Sequence, residues 1–254
     1  MGLIALLSAS APELREGSLA AGTRFETPFF QLDAAEPGPT VLVVAGIHGD
    51  ERAPPEAAKT LRKLELTRGR LVVVPRANEH ALAVGKRFTP GTRFLDLNRT
   101  FPTQKEREPR GRLGSDIWQF VKLHDPDWVL DLHEGFDFNR RNRKSVGSSV
   151  TYVAHSKVGA CSERLARHVA GSINARIRQR SKHFTVLSPG PNASLARSVA
   201  ETLGIPSLVF ETTRIGQPLR LRVTQHEVML DSTLRKLGLV GNAGADPCAA
   251  PTTV

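Results

Sequence analysis

The stretch that decides the fold is Val41-Leu42-Val43-Val44-Ala45-Gly46-Ile47-His48-Gly49-Asp50-Glu51-Arg52-Ala53-Pro54-Pro55. Val41–Ala45 is apolar throughout, which predicts a strand buried on both faces within a largely parallel or mixed sheet. Pro54-Pro55 opens a helix, because the first helical turn needs no backbone donor there. Between strand and helix lies a short polar turn, and open α/β sheets place their sites at such strand ends. His48 and Glu51 stand three residues apart on it, so imidazole and carboxylate can converge on one cation. Gly46 and Gly49 let the backbone fold closely around them. Alone, such a pair is common by chance and reads more readily as a helix-entry loop with Glu51 opposing the positive dipole end.

Outward from this turn, strand-length apolar runs recur at Leu71–Pro75, Trp128–Leu132, Val150–Ala154 and Pro206–Glu211. Helical patterns follow Pro54-Pro55 and fall around Ser115–His124, over Val158–Arg180, around Ala193–Leu203 and over Leu219–Leu237. This alternation is the mark of an α/β domain. In the third helix Val158, Cys161, Leu165, Val169, Ile173 and Ile177 make one buried stripe, which reads Cys161 as a core thiol. A chain of 254 residues can bury an adequate core without disulfides. Cys161 and Cys248 alone supply neither a disulfide framework nor a structural zinc site. Residues 1–22 read as a leader or frayed N-terminus, 23–240 as a single domain and 241–254 as a flexible tail. Gly2–Leu6 followed by Ala9-Ser10-Ala11 is a weak export signal without a basic region, so a cytoplasmic location is the first expectation and export the second. No apolar run approaches the 18 residues or so of a membrane-spanning helix.

The formal charge is +10, from 35 basic and 25 acidic residues. Asn139 to Lys182 holds eleven basic residues and one acid, Glu163, and so carries the whole excess. The run Asn139-Arg140-Arg141-Asn142-Arg143-Lys144 begins five residues after Glu134. It would attract an acidic substrate at a site mouth, or be no more than a solvated loop. Nucleic-acid binding is the less favoured reading, since only Tyr152 and few other aromatics lie near for base stacking.

Three further clusters carry chemistry. Asp131-Leu132-His133-Glu134-Gly135 closes a predicted strand. His133 added to His48 and Glu51 makes a two-His, one-Glu set of the kind catalytic zinc sites use, with a fourth position for water. Asp131 would accept the other ring N–H of His133 and fix its tautomer. Glu134 would recognise a substrate ammonium or pair with an arginine. The stretch from Arg93 to Pro102 contains Arg93, Asn98 and Arg99, and an arginine fork suits a carboxylate or a carbonyl developing negative charge. Glu211 ends a run that should otherwise be buried, as a general base or an ion-paired strand terminus.

In order, HGDE (His48 to Glu51), DLNRTFP (Asp96 to Pro102), DLHEG (Asp131 to Gly135) and VFE (Val209 to Glu211) resemble the zinc carboxypeptidase superfamily. Within it they resemble the aspartoacylase and succinylglutamate desuccinylase branch, over about Thr23 to Arg214. The resemblance implies a three-layer α/β/α domain with a mixed, twisted sheet of about eight strands. It also implies one zinc held by His48, Glu51 and His133, Glu211 as general base and acid, and Asn98 with Arg99 as the clamp for a substrate carboxylate. Arg93 is the candidate for polarising the scissile carbonyl, with Arg87 as substitute. The implied activity is zinc-dependent hydrolysis of an amide in a substrate bearing a free carboxylate, foremost an N-acyl amino acid. The alternative is a carboxypeptidase acting on peptides, including those of the cell wall, and a non-enzymatic nucleic-acid-binding protein is the remote one. Carboxypeptidases of the superfamily use a tyrosine some twenty residues before the catalytic glutamate, where this chain has Ser188-Pro189-Gly190-Pro191. Relatives often carry a β-rich C-terminal domain over the site, whereas the 43 residues after Glu211 look helical. A comparatively open site is expected.

Overall fold

The structure is a computed structural model and describes residues 13–93, 96–241 and 247–248. Its strands are β1 Glu13–Leu19, β2 Thr27–Asp33, β3 Thr40–Ala45, β4 Arg70–Val74, β5 Trp128–Gly135, β6 Ser149–Thr151, β7 Thr185–Leu187 and β8 Ser207–Thr213. They form one sheet in the order β1-β2-β4-β3-β5-β8-β6-β7. The central four are parallel, while β2 meets β4 and β6 meets β8 antiparallel. The described α-helices are α1 Ala53–Thr60, α2 Glu79–Val84, α3 Arg112–His124, α4 Gly159–Asn174, α5 Leu195–Ser198 and α6 Leu219–Lys236.

Strand β3 explains the layering. Successive side chains of a strand point to opposite faces, and both faces of β3 are covered. Val41 and Val43 pack with Leu165 and Val169 of α4 and Met229 of α6, whereas Leu42 and Val44 pack with Ile117 and Val121 of α3 and Leu195 of α5. With β4 and β5 on either side, Val41 to Ala45 lose all contact with water. The molecule is thus the three-layer α/β/α sandwich around an eight-stranded mixed sheet that the motifs implied.

Several boundaries differ. Residues 13–19, expected within a leader or frayed end, are edge strand β1, antiparallel to β2; the export reading of Ala9-Ser10-Ala11 lies outside the described residues. Helix α4 stops at Asn174 and not near Arg180. The Asn174 side chain accepts from the Phe184 amide at 2.7 Å and donates to the Phe184 carbonyl at 2.9 Å, turning the chain back towards β7. Cys161 is not a free thiol. It is bonded to Cys248, and Arg164 Nε donates to the Pro247 carbonyl at 2.8 Å, so this part of the expected tail is fastened to α4. Strands β5 and β8 also run on to Gly135 and Thr213, which places His133 and Glu211 inside the sheet as register partners, not at strand ends.

Candidate functional site

Three chain segments build the site. The turn after β3 leaves with Gly46 in the left-handed region, φ 74°. It then passes so close to α2 that a Cβ on Gly49 would lie 2.0 Å from the Ala81 carbonyl carbon and oxygen. Only glycine accepts both demands. Asn78 pins this turn, donating through Nδ2 to the Ile47 carbonyl at 3.1 Å while Oδ1 caps α2 through the Ala81 amide. The turn delivers His48 and Glu51, both buried. Strand β5 delivers His133: since Leu130 and Leu132 fill one core, Asp131 and His133 face the other way.

The donor atoms converge. Glu51 Oε1 lies 2.8 Å from His48 Nδ1, Glu51 Oε2 lies 3.0 Å from His133 Nδ1, and the two Nδ1 atoms are 3.1 Å apart. Among the described residues this is the one group of three or more metal-capable side chains whose ligand atoms all fall within 4.8 Å. A carboxylate backs each imidazole: Asp96 Oδ1 is 3.1 Å from His48 Nε2, and Asp131 Oδ1 is 3.0 Å from His133 Nε2. The Asp131 approach is out of line for a hydrogen bond, so it acts as a charge beside the ring. At His48 the Asp96 contact favours the ring proton on Nε2 and a lone pair on Nδ1. Two lone pairs and a carboxylate crowded together repel unless a cation lies among them or a ring takes up a proton. Two imidazoles and a carboxylate are a donor set for Zn²⁺, and the residues present fit that ion.

Electrostatics follow from the same crowding. Burial would raise the Glu51 carboxyl, but His48 and His133 hold it well below the usual carboxylate range. Burial lowers His133, yet Asp131 and Glu51 outweigh it and raise the imidazole well above its ordinary value. Asp96 is pushed up by burial and brought down to about 2 by His48, Arg87 and Arg99. Glu211 goes the other way: burial lifts it to about 8, opposed by His133 and Arg87 and assisted by Glu51 and Asp131.

A cavity of about 360 Å³ opens on the cluster. His48, Glu51, His133, Asn98, Arg99, Glu134 and Glu211 all line it, and so do Arg87, Lys144, Ser194 and Arg214. Asn98 is held by the Leu195 amide at 2.9 Å, and its Nδ2 stands 3.2 Å from His133 Nε2. Arg99 Nη1 donates to the Asn98 carbonyl at 2.6 Å. Arg93 lies elsewhere, in a separate cavity beside Arg24 and Leu113. Helix α2 ends at left-handed Gly85, and the returning chain brings Arg87 to the cavity over the cluster, 3.2 Å from Glu51 Oε1 and 3.6 Å from Asp96 Oδ2.

Glu134 is not open to a substrate ammonium, nor paired with the 140–144 run. It is buried, accepts from the Ala53 amide at 3.0 Å at the start of α1, and pairs with Arg222 of α6. Arg140 and Arg141 are not cavity walls. Arg141 lies over the Phe138 ring at 4.7 Å and reaches Ser181 Oγ at 3.3 Å. From that basic loop it is Asn142 and Lys144 that reach the cavity. Tyr152 packs with the core on the other face of the sheet, away from the site. Sequence reasoning missed Asp96 and Asn78 as supports. The signal for Asp96 was its place two residues before Asn98, whose amide it accepts at 2.9 Å, a turn that Asp favours.

A mixed eight-stranded sheet with two histidines and a glutamate converging at its centre defines the carboxypeptidase-like class of α/β folds. Residues 37–146, rather less than half of the chain, match the family described as the succinylglutamate desuccinylase/aspartoacylase catalytic domain. The span holds His48, Glu51, Asn98, Arg99 and His133 but not Glu211. The N-alpha-acetyl-L-2,4-diaminobutyric acid deacetylase of Halomonas elongata is 36% identical over 107 residues, which are 39% of this chain and 29% of that protein. Among solved structures, an aspartoacylase family protein of Mesorhizobium loti superposes with TM-score 0.65 at 21% identity, covering 92% of this chain and 70% of that one. The mDAP-bound form of Helicobacter pylori Csd4, a D,L-carboxypeptidase, gives 0.63 at 20% identity, covering 80% and 52%. The chain therefore spans about a third of the curated relative and about half of Csd4. At these identities the superpositions speak for the fold.

Proposed function

We propose that the chain is a zinc-dependent hydrolase of an amide bond in a substrate bearing a free carboxylate, foremost an N-acyl amino acid deacylase. The observation that carries this is the meeting of His48 Nδ1, Glu51 and His133 Nδ1 within one cavity that also presents Glu211, Arg87 and Arg99. A zinc ion bound there would polarise a carbonyl and lower the pKa of water towards 7. Glu211 takes the proton of the attacking water and hands it to the leaving amine. Burial favours its protonated form, which donates to the amine, while His133 and Arg87 favour the ionised form, which takes the water proton. Arg87, not Arg93, stands where a guanidinium can stabilise charge developing on the carbonyl oxygen. Arg99, oriented by its bond to the Asn98 carbonyl, binds the substrate carboxylate, and Lys144 adds positive charge at the mouth. The partial match to a deacetylase of an N-acetylated amino acid supports the deacylase over the peptidase. No described helix is long and apolar enough to cross a membrane. The Cys161–Cys248 bond favours the exported of the two expected locations, because disulfides persist in oxidising compartments.

The test is hydrolysis by zinc-loaded protein of N-acetyl amino acids against dipeptides and tripeptides with free C-termini. Release of acetate, abolished by chelation and restored by zinc, is expected. Turnover of peptides alone would replace the deacylase with a carboxypeptidase, and inactivity on both panels would overturn the reading.

A further inference from the structure

The cavity has a second chemical character at its mouth. Phe136, Val146 and Ile215 stand 62%, 42% and 46% exposed. Phe136 and Val146 are walls of the cavity itself. Ile215 sits on the adjoining chain, its N–H donating to the Phe136 carbonyl at 3.1 Å. The supporting main chain is firmly held. The Arg214 amide bonds to the Gly135 carbonyl at 3.0 Å, which continues the β5–β8 ladder past both strands. Ser149 Oγ donates to the Val146 carbonyl at 2.6 Å, and Asn139 Nδ2 donates to the Ser145 carbonyl at 2.8 Å. A well-braced backbone thus presents Phe136 and Val146 to water at the edge of a polar, metal-capable site, with exposed Ile215 on the segment bonded to Phe136. Apolar surface in such a place gains when it is covered.

Continuity with the cavity decides what covers it. A molecule whose scissile amide lies between the metal donors and Glu211, with its carboxylate on Arg99, has its remaining substituents within reach of the lip. At about 360 Å³ the cavity is near the small end of ligand sites, so a longer substituent must pass over that lip. We propose that Phe136, Val146 and Ile215 form an apolar subsite for a hydrocarbon group of the substrate. This group is either the acyl chain or the amino-acid side chain. The proposal rests on the reading of the cavity as an acyl-amino-acid hydrolase site and names the chemistry of substrate it selects.

Two substrate series separate the sources. One lengthens the acyl group on glycine from acetyl to butanoyl to hexanoyl; the other lengthens the side chain of an N-acetyl amino acid from alanine to norvaline to norleucine. Binding is measured by calorimetry on Glu211→Gln protein with zinc present, and hydrolysis is measured separately on the unaltered protein. In the series that meets the lip, affinity should rise about two- to fourfold per methylene, and Phe136→Ser with Val146→Ser should flatten the gradient. Both side chains are exposed, and unchanged melting of the variants establishes that their fold is intact. Affinity independent of length in both series, or a gradient that survives the double substitution, overturns the subsite. A flat series with hydrolysis intact removes the lip and leaves the hydrolase. A length dependence without hydrolysis removes the hydrolase and leaves the lip.

Discussion

Replacing Asp96 by Asn tests the support of the metal-capable cluster at a residue that is not itself a ligand. Its Oδ1 is 3.1 Å from His48 Nε2 and accepts the Asn98 amide at 2.9 Å, and its carboxyl is held at about 2 against an ordinary value of 3.8. Each pKa unit is worth about 1.36 kcal/mol, so the ionised carboxylate contributes roughly 2 kcal/mol to the metal-free fold. The side chain is 19% exposed, and solvent screening trims that to about 1–2 kcal/mol. A carboxyl lowered on folding contributes in full above its unfolded value near 3.8, and the contribution is lost as pH falls through about 2. Urea unfolding of metal-free Asp96→Asn should therefore show the deficit at pH 7 and a shrinking one towards pH 2. The same substitution loosens the tautomer and orientation of His48. Zinc affinity, measured by competition with a chromophoric chelator, should fall about 10- to 100-fold. A folded variant with wild-type zinc affinity would refute the idea that Asp96 orients His48.

Arg87→Ala should lose about 10²–10³-fold in kcat while keeping zinc, as for removal of an oxyanion donor, whereas Arg93→Ala should stay near wild type; steady-state kinetics of the two variants decides between them. Glu134→Ala leaves the largely covered Arg222 without its carboxylate and removes an acceptor from the start of α1. A loss of about 3–5 kcal/mol in chemical denaturation is expected, and a loss under 1 kcal/mol would show that the pair is not structural. Opening the 87-residue loop closed by Cys161 and Cys248, by reduction or Cys161→Ser, should cost up to about 4–5 kcal/mol on the chain-entropy account. Thiol titration of unfolded, unreduced protein checks the premise and should find no free thiol.

What the sequence made legible was governed by burial. Val41–Ala45 has helices on both faces and strands on both edges, so an unbroken apolar run could mean little else. The edge strand β1 and its neighbour β2 were hidden for the opposite reason. Residues 13–19 carry Glu13, Arg15 and Glu16 on a half-solvated edge, and β2 contains Pro28, so neither shows a continuous apolar signal. The metal-capable trio was visible because its members lie in short motifs, but the assignment between Arg87 and Arg93 was not, since the turn at Gly85 decides which of them comes back to the cavity. Glu134 likewise reads as a site residue from its motif, yet its partners Arg222 and Ala53 come from distant segments that nothing local announces. The Cys161–Cys248 pairing was illegible for want of any spacing rule for two cysteines in a chain of this size.

In the proposed reaction Glu211 acts on a substrate proton beside a zinc held by His48, Glu51 and His133. The most direct test is zinc content and turnover measured together on Glu211→Gln. One zinc per chain, as in the unaltered protein, with turnover of the N-acyl amino acid reduced about 10²–10⁴-fold, is the expected result. Full turnover with zinc retained would contradict the account.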